Sequence, residues 1–292
     1  SINWILFYLF FKTNNDQINI KSFLKWNLII SIFVAFGGFI EYHLSRDIFG
    51  LVPQLGFKEF QTNFEIYYRT RSFVWSQQIN SLILTFAFLT NLEFKLFKNI
   101  LRILIGLILI YAIVLTGAKV PVFCLLVYFI LKISKSILST SIAILFSLIL
   151  FNFISNNDLI SENRQLSFIF QFDEFIKEER SNRFSKQINA ILDSNIIFGN
   201  GIGSTNSNNK DYINTESFYI QLFSEFGIFG LLFFIIIIYK MFRISDKSNK
   251  LVLLPMIVSG FIVHGLSSPY LFPFWVLLFD NSLNFNKNAN ST

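Results

Sequence analysis

Long runs of apolar residues, separated by polar connections, follow one another along the chain. A helix that crosses the roughly 30 Å hydrocarbon core of a bilayer needs about 20 residues, and several of the runs approach that length. They cover residues 26–45, 76–92, 100–117, 119–133, 137–154, 217–239, 251–267 and 269–283. A further run at 1–11 is too short to span, and the chain does not begin with Met. The pattern predicts an all-α, polytopic transmembrane helix bundle of about eight or nine spans, which we expect to be a single integral membrane domain over 1–292 from a longer protein.

The composition supports a membrane class. Of the 292 residues, 53% are hydrophobic and 14% are charged, whereas a soluble domain carries about 25% charged residues. The single cysteine, Cys124, lies inside an apolar run, so neither a disulfide framework nor a cysteine metal site is available.

The distribution of charge predicts which loops face the cytoplasm. One set of short loops holds 13 Lys and Arg residues with few acids, and basic residues are retained on the cytoplasmic side. The opposite, outer side then receives two long loops, at about 46–75 and 155–216, which carry most of the Asp and Glu. The net charge of +6 thus reflects topology, and no basic stripe with interleaved aromatic residues indicates nucleic-acid binding.

Basic side chains on the outer side are candidates for binding a phosphate or pyrophosphate. Guanidinium groups bind such oxygens bidentately, and Lys119, in a turn between two spans, adds charge on the same side. The alternative is that these side chains pair with neighbouring acids or with lipid headgroups. The arginines are Arg69, Arg71, Arg180 and Arg183.

Two carboxylates near one apolar run have different expected roles. Glu216 directly precedes the run 217–239 and so stands at the edge of a region of low dielectric. That environment disfavours the ionised form of the carboxyl group, which suits the group to proton abstraction near neutral pH. The alternative is that Glu216 only complements the helix N-terminus. Glu225 lies inside the run, where an ionisable group usually faces a protein interior or a water-filled path. Gly227 and Gly230 are spaced so that another helix can approach closely.

Two familiar kinds of site are not indicated. Gly199, Gly201 and Gly203 alternate, but neither the dinucleotide pattern nor the Lys-Ser/Thr pair of a P-loop follows. His43 and His264 have no second ligand at metal-binding spacing. We therefore expect neither a cofactor nor a catalytic metal.

Four motifs, in this order, resemble those of the O-antigen polymerase and O-antigen ligase superfamily of integral membrane proteins. That family carries a T-G-S-R turn, a long outer loop with S-G-R, a later G-x-G-x-G, and a span opening H-N-x-Y-L-Q-L-x-x-E-x-G-x-x-G. The corresponding stretches are TGAK at 116–119, SNR at 181–183, GNGIG at 199–203 and ESFYIQLFSEFGIFG at 216–230.

The resemblance implies an enzyme of the bacterial inner membrane, with its long loops on the periplasmic side, that acts without a metal on undecaprenyl-pyrophosphate-linked oligosaccharides. It implies that Arg183, with Arg69 or Arg71, engages the carrier pyrophosphate, and it adds Arg180, Lys119 and Tyr219 to the substrate-binding candidates. Membrane lipid and a chain-length regulator protein are the implied partners.

Two departures from the family pattern matter. The family's arginine in the T-G-S-R turn is Lys119 here, which keeps the charge but loses the bidentate fork. The family's histidine is Glu216, which resembles polymerases more than ligases. We therefore expect a polysaccharide polymerase with Glu216 as the base. The alternatives are a ligase that transfers glycan to lipid A core, and a transporter or flippase for an anionic solute.

Overall fold

The computed structural model of the chain describes residues 19–44, 72, 74, 77–133, 196–201, 217–261, 266 and 271–279. Within these residues the structure is all-helical, which confirms the predicted fold class at that level. The helices are α1 (Ile20–Leu44), α2 (Gln77–Phe94), α3 (Asn99–Leu115), α4 (Val120–Ile133), α5 (Phe218–Ile244), α6 (Lys247–Ser259) and α7 (Phe272–Phe279).

Several helices coincide with predicted spans. Helices α1 to α4 lie on the runs at 26–45, 76–92, 100–117 and 119–133. By length and composition, α1 and α5 could cross a membrane, while α3 and α4 are shorter and apolar. These helices are in keeping with a membrane protein, and the count of eight or nine spans stays a prediction. The runs at 1–11 and 137–154 and most of both long loops lie outside the described residues.

One compact unit covers Leu24–Phe172. In it, α2 packs against α3 and α4, and the Nδ2 of Asn91 on α2 donates a hydrogen bond to the carbonyl of Arg102 on α3 at 2.8 Å. Helix α1 joins the same unit through Phe39, whose ring centroid lies 5.2 Å from that of Tyr111 on α3. The consecutive helices α2 and α3 therefore pack together, as a short connection favours, and α4 and α1 add contacts to that pair.

The other unit comprises residues 1–23 and 173–292, and its described core is aromatic. Phe218 and Phe234 of α5 and Phe274 and Trp275 of α7 are all buried. The indole Nε1 of Trp275 donates to the carbonyl of Leu266 at 3.0 Å, so the polar end of this large side chain is satisfied in the interior.

Helix α5 is two helices joined at a sharp break, not the continuous span expected over 217–239. In a straight helix, the rise from Phe218 to Phe234 would be about 24 Å, yet their ring centroids are 5.3 Å apart. The break is at Gly227, with φ 64° and ψ −165°. The first half, over residues 218–226, therefore folds back beside the second half. At about 14 Å it is too short to cross a bilayer.

The ends of α6 also differ from the predicted span 251–267. Helix α6 begins at Lys247, only Ser245 and Asp246 separate it from α5, and it ends at Ser259. The basic residues of the predicted cytoplasmic loop thus lie on the last turns of α5 and the first turns of α6. Gly260 follows as the C-cap residue.

Candidate functional site

The break in α5 is closed by backbone atoms from a distant part of the chain, residues 196–201, which we call the glycine clip. In a continuous helix the N–H of Ile228 would donate to the carbonyl of Ser224; here it donates to the carbonyl of Ile196 at 2.9 Å. The Ser224 carbonyl accepts from the N–H of Asn200 at 2.8 Å instead. The clip thus replaces helical hydrogen bonds that the break removes.

A third hydrogen bond extends the same pairing. The carbonyl of Glu225 accepts from the N–H of Gly201 at 3.1 Å. A backbone N–H or carbonyl without a hydrogen-bond partner is costly in an apolar environment. A helix in such an environment can therefore be broken only where other protein groups bind the N–H and carbonyl groups that the break frees. The glycine clip meets that requirement, and the ring of Phe198 adds a contact to Phe229, with centroids 5.9 Å apart.

Glycine is required on both sides of this contact. A Cβ on Gly199 would lie 2.6 Å from the nitrogen of Gly227, and one on Gly227 would lie 2.7 Å from the nitrogen of Gly199. Both residues also have positive φ, 73° and 64°, which side chains disfavour. Gly201 has φ 89°, but a Cβ added there would meet no atom within 4 Å, so its requirement is conformational only.

Polar side chains line the helix just before the break. Ser224 is fully buried and Glu225 is 2% exposed, so the Glu225 carboxylate faces a protein interior, as its place within an apolar run predicts. The Nε2 of Gln221 donates to the Oε1 of Glu225 at 3.3 Å. The Oγ of Ser224 has no hydrogen-bond partner among the described residues. A polar group of this kind inside an apolar segment is costly to bury and is typical of functional positions.

The start of α5 is fixed against the end of α6. The N–H of Phe218 donates to the carbonyl of Gly260 at 2.9 Å, and the Oγ of Ser217 donates to the same oxygen at 3.1 Å. The first N–H groups and last carbonyls of helices lack partners within the helix, so these two helix ends satisfy each other. Glu216 is the next residue towards the N-terminus, and the chain that carries it is therefore anchored at Ser217.

Tyr219, a candidate for substrate binding, has its hydroxyl engaged by the backbone. That hydroxyl donates to the carbonyl of Ile257 at 2.8 Å, and its ring lies 4.3 Å, centroid to centroid, from Phe261. The structure places Tyr219 in the contact between α5 and α6, and its predicted role in binding substrate stays a prediction.

Lys119 occupies the predicted tight turn between two helices. The carbonyl of Lys119 accepts from the N–H of Phe123 at 3.3 Å, so the residue stands at the N-terminus of α4, half-buried. The turn is stabilised by Thr116, whose Oγ1 donates to the carbonyl of Ile113 at 2.7 Å and accepts from the N–H of Ala118 at 3.3 Å. The turn itself is confirmed, and the predicted contact of Lys119 with pyrophosphate stays a prediction.

The other predicted site residues lie outside the described residues, and their roles stay predictions. They are Glu216, Arg183, Arg180, Arg69 and Arg71. Within the part of the chain that the structure describes, no group of three or more His, Cys, Asp or Glu residues could hold a metal ion.

Sequence reasoning missed the partners of the break and those of the first turn of α5, because they act through main-chain atoms. The groups that act are backbone carbonyl or N–H groups, which nearly every residue type possesses. They belong to Ile196, Asn200, Ile257 and Gly260. The glycines at 199 and 227 were visible as a signal, but nothing in the sequence indicated that they contact each other.

Comparison with known proteins adds no second source of identification. The four motifs and the geometry around Gly227 are thus the observations on which a function can be based. No protein-family model, curated protein or solved structure matches the chain.

Proposed function

We propose that the chain is a bacterial surface-polysaccharide polymerase that joins undecaprenyl-pyrophosphate-linked repeat units on the outer side of the inner membrane. The observation that carries the proposal is the contact between two of the motifs. Residues 200–201 of the G-x-G-x-G motif and residues 224–225 of the span-opening motif are paired by two backbone hydrogen bonds, and a third joins the neighbouring Ile196 to Ile228. Two motifs that contact each other in the fold support a shared function better than two motifs that match the family pattern but lie apart.

The anchoring of the chain on both sides of Glu216 supports a catalytic position for that residue. Gly201 is tied to Glu225, and Ser217 is tied to Gly260, so described residues on both sides of Glu216 in the sequence are fixed within one compact unit. Preorganised attachment of this kind is what positioning a catalytic group requires.

The fold-back of α5 determines how far below the outer membrane surface the proposed site would lie. Phe218 lies level with Phe234, about 10 Å along the second half of α5 from Gly227. With the glycine clip on the outer side and the basic ends of α5 and α6 on the cytoplasmic side, the first half of α5 is a re-entrant segment. Its start would lie below the outer surface, where water is scarcer and electrostatic interactions are stronger.

The reaction is a glycosyl transfer between two lipid-linked chains. Glu216 accepts the proton from a hydroxyl at the non-reducing end of the acceptor unit, and that oxygen bonds to the anomeric carbon of the donor glycan. The bond from that carbon to the pyrophosphate oxygen breaks, and undecaprenyl pyrophosphate leaves.

Positive side chains would stabilise the charge that develops on the departing pyrophosphate. Arg183 has this role in the proposal, with Arg69, Arg71, Arg180 and Lys119 as further substrate-binding groups. No metal is needed for either step, and a chain-length regulator protein is the proposed partner that sets polymer length.

The test is a gel profile of surface glycan from a strain that lacks the full-length gene and is complemented with variants. We expect a ladder with wild type, and a single repeat unit with Arg183→Ala or Glu216→Gln at equal protein abundance. Arg243→Ala is the matched control, because Arg243 is exposed on the last turn of α5 and should leave the ladder intact. Long polymer from Arg183→Ala would refute the arginine role.

The same strains separate a ligase from a polymerase. A ligase attaches finished glycan to lipid A core. Its loss would leave long lipid-linked polymer in the membrane and none on lipid A core.

A transporter or flippase of an anionic solute is the third candidate, after the polymerase and the ligase, and the break in α5 is the observation that favours it. Discontinuous helices with buried polar groups are characteristic of transporter binding sites, and Glu225 is buried beside Gly227. An unchanged ladder in the deletion strain would reject the polymerase and leave this candidate.

A further inference from the structure

Helix α1 carries a buried carboxylate, Glu41, that the proposed mechanism does not use. Glu41 is 1% exposed within a helix that could cross a membrane by length and composition. Its Oε2 accepts a hydrogen bond from the backbone N–H of Ser72 at 2.7 Å. Burying a carboxylate is costly unless other groups bind it, so this contact points to a specific role.

Ser72 makes a second hydrogen bond to the same helix. Its Oγ donates to the carbonyl of Val34 at 2.7 Å. Val34 and Glu41 are seven residues apart, which places them two turns apart on one face of α1. Ser72 is thus held along that face at two points, and Val74, close behind it, is 2% exposed.

The backbone of Ser72 is in a conformation that needs such support. Its φ is 54°, in the left-handed region that residues with side chains adopt at a cost. Strained residues of this type persist where the surroundings fix them, and they concentrate at functional sites. The two hydrogen bonds to α1 provide that fixation.

The position of Ser72 in the sequence connects this contact to the proposed function. Ser72 directly follows Arg71 and is three residues after Arg69, so it lies near the end of the predicted first outer loop. A fixed point one peptide bond away limits where Arg71 can reach, because consecutive Cα atoms are about 3.8 Å apart.

We infer that Glu41 is a positioning residue that anchors the backbone at Ser72 to helix α1 and so places the arginines of the first outer loop for binding the carrier pyrophosphate. The part of the inference that concerns polymer synthesis rests on the proposed function. The anchor itself rests only on the contacts of Glu41, Ser72 and Val34.

The anchor can be measured without reference to activity. Cys124 is the single cysteine, so Cys124→Ala combined with Val74→Cys gives a protein with one thiol, at a buried position beside Ser72. In the full-length protein in membranes, we expect Glu41→Ala to raise the rate of maleimide labelling at position 74 at least about tenfold, the factor expected when a hydrogen bond to a charged acceptor is lost.

Two variants provide controls for this measurement. Glu41→Gln retains an oxygen that can accept from the Ser72 N–H, so labelling should stay within about threefold of wild type. Glu93→Ala removes another carboxylate of the same compact unit, one that contacts Tyr128 and Lys132, and should leave position 74 protected. If Glu41→Ala fails to accumulate, Glu41→Asp shortens the side chain by one methylene while keeping its charge, and it replaces Glu41→Ala in the test.

The surface-glycan ladder is the second readout, at matched protein abundance. Faster labelling with a shortened ladder in Glu41→Ala, and both restored in Glu41→Gln, would support the inference. Unchanged labelling in Glu41→Ala would overturn the anchor whatever the ladder shows. Faster labelling with a normal ladder would overturn the positioning role. If wild type itself restores no ladder to the deletion strain, the proposed function fails, and the labelling still decides on the anchor.

Discussion

Gly199 and Gly227 approach so closely that neither can carry a side chain: a Cβ on Gly199 would lie 2.6 Å from the nitrogen of Gly227, and the reverse distance is 2.7 Å. This contact joins a glycine-rich stretch to an apolar helix 28 residues later in the chain. It explains why glycines precede a membrane-type segment, since glycine permits the close approach through which residues 196–201 satisfy the main chain at a helix break.

Alanine at these glycines should destabilise the protein in a predictable order. For Gly201→Ala we expect a loss of about 1–2 kcal/mol from the positive φ alone. Gly199→Ala and Gly227→Ala add a backbone clash and should cost roughly 2–5 kcal/mol. Thermal unfolding in detergent can be followed by the fluorescence of Trp275, which is buried in the same unit, after the other three tryptophans are replaced by Phe. Equal unfolding midpoints for all three variants would contradict the close approach.

Tyr219→Phe separates a structural role from a role in substrate binding. The variant loses the hydrogen bond to Ile257 but keeps the ring against Phe261, so the expected destabilisation is about 1 kcal/mol. If the hydroxyl acts only in packing, the glycan ladder at equal abundance should be unchanged. A shortened ladder from a protein of near-normal stability would instead support the predicted contact with substrate.

Glu93 should stabilise the packing of α2 on α4. Its side chain is 5% exposed and accepts from Lys132 and Tyr128, so Glu93→Ala should cost about 1–3 kcal/mol. Lys132→Ala should cost at most about 1 kcal/mol, because the Lys132 side chain is 47% exposed. The buried thiol of Cys124 on α4 reports unfolding of this unit through a thiol-reactive dye. Equal effects of the two variants would argue against Glu93 as the central group.

The charge at position 119 should matter more than the identity of the residue. We expect Lys119→Arg to retain or improve polymer yield, because guanidinium can bind pyrophosphate bidentately, and Lys119→Met to lower it by about tenfold, since a hydrogen bond to a charged group contributes roughly 1.5–3 kcal/mol. Yield is measured from the glycan ladder at matched abundance. Normal yield from Lys119→Met would remove Lys119 from the substrate-binding set.

The orientation of α5 and α6 can be tested by thiol labelling of intact cells. In a Cys124→Ala background, Ile197→Cys on the exposed glycine clip should react with a membrane-impermeant reagent from outside. Lys247→Cys, on the exposed first turn of α6, should react only after the membrane is permeabilised. Labelling of both positions in intact cells would refute the topology predicted from the positive charges.

The apolar runs by themselves determined the helical class and the position of most described helices. Helices α1 to α4 lie on their predicted runs, and the turn at 116–119 lies between α3 and α4. These features follow from local sequence, since an apolar run of sufficient length forms a helix wherever the surroundings are apolar. The burial of Glu225 also follows from the sequence, because an ionisable side chain within such a run usually faces the protein interior or a water-filled path.

Tertiary structure alone decided the course of the chain at Gly227 and the contacts of Ser72. A run of apolar residues has the same hydropathy whether it continues straight or folds back, and a glycine permits both courses. The break is stable because Ile196, Asn200 and Gly201 supply main-chain partners from another segment, and main-chain groups leave no signature in a sequence. The same holds for Glu41, which accepts a hydrogen bond from a backbone N–H 31 residues away.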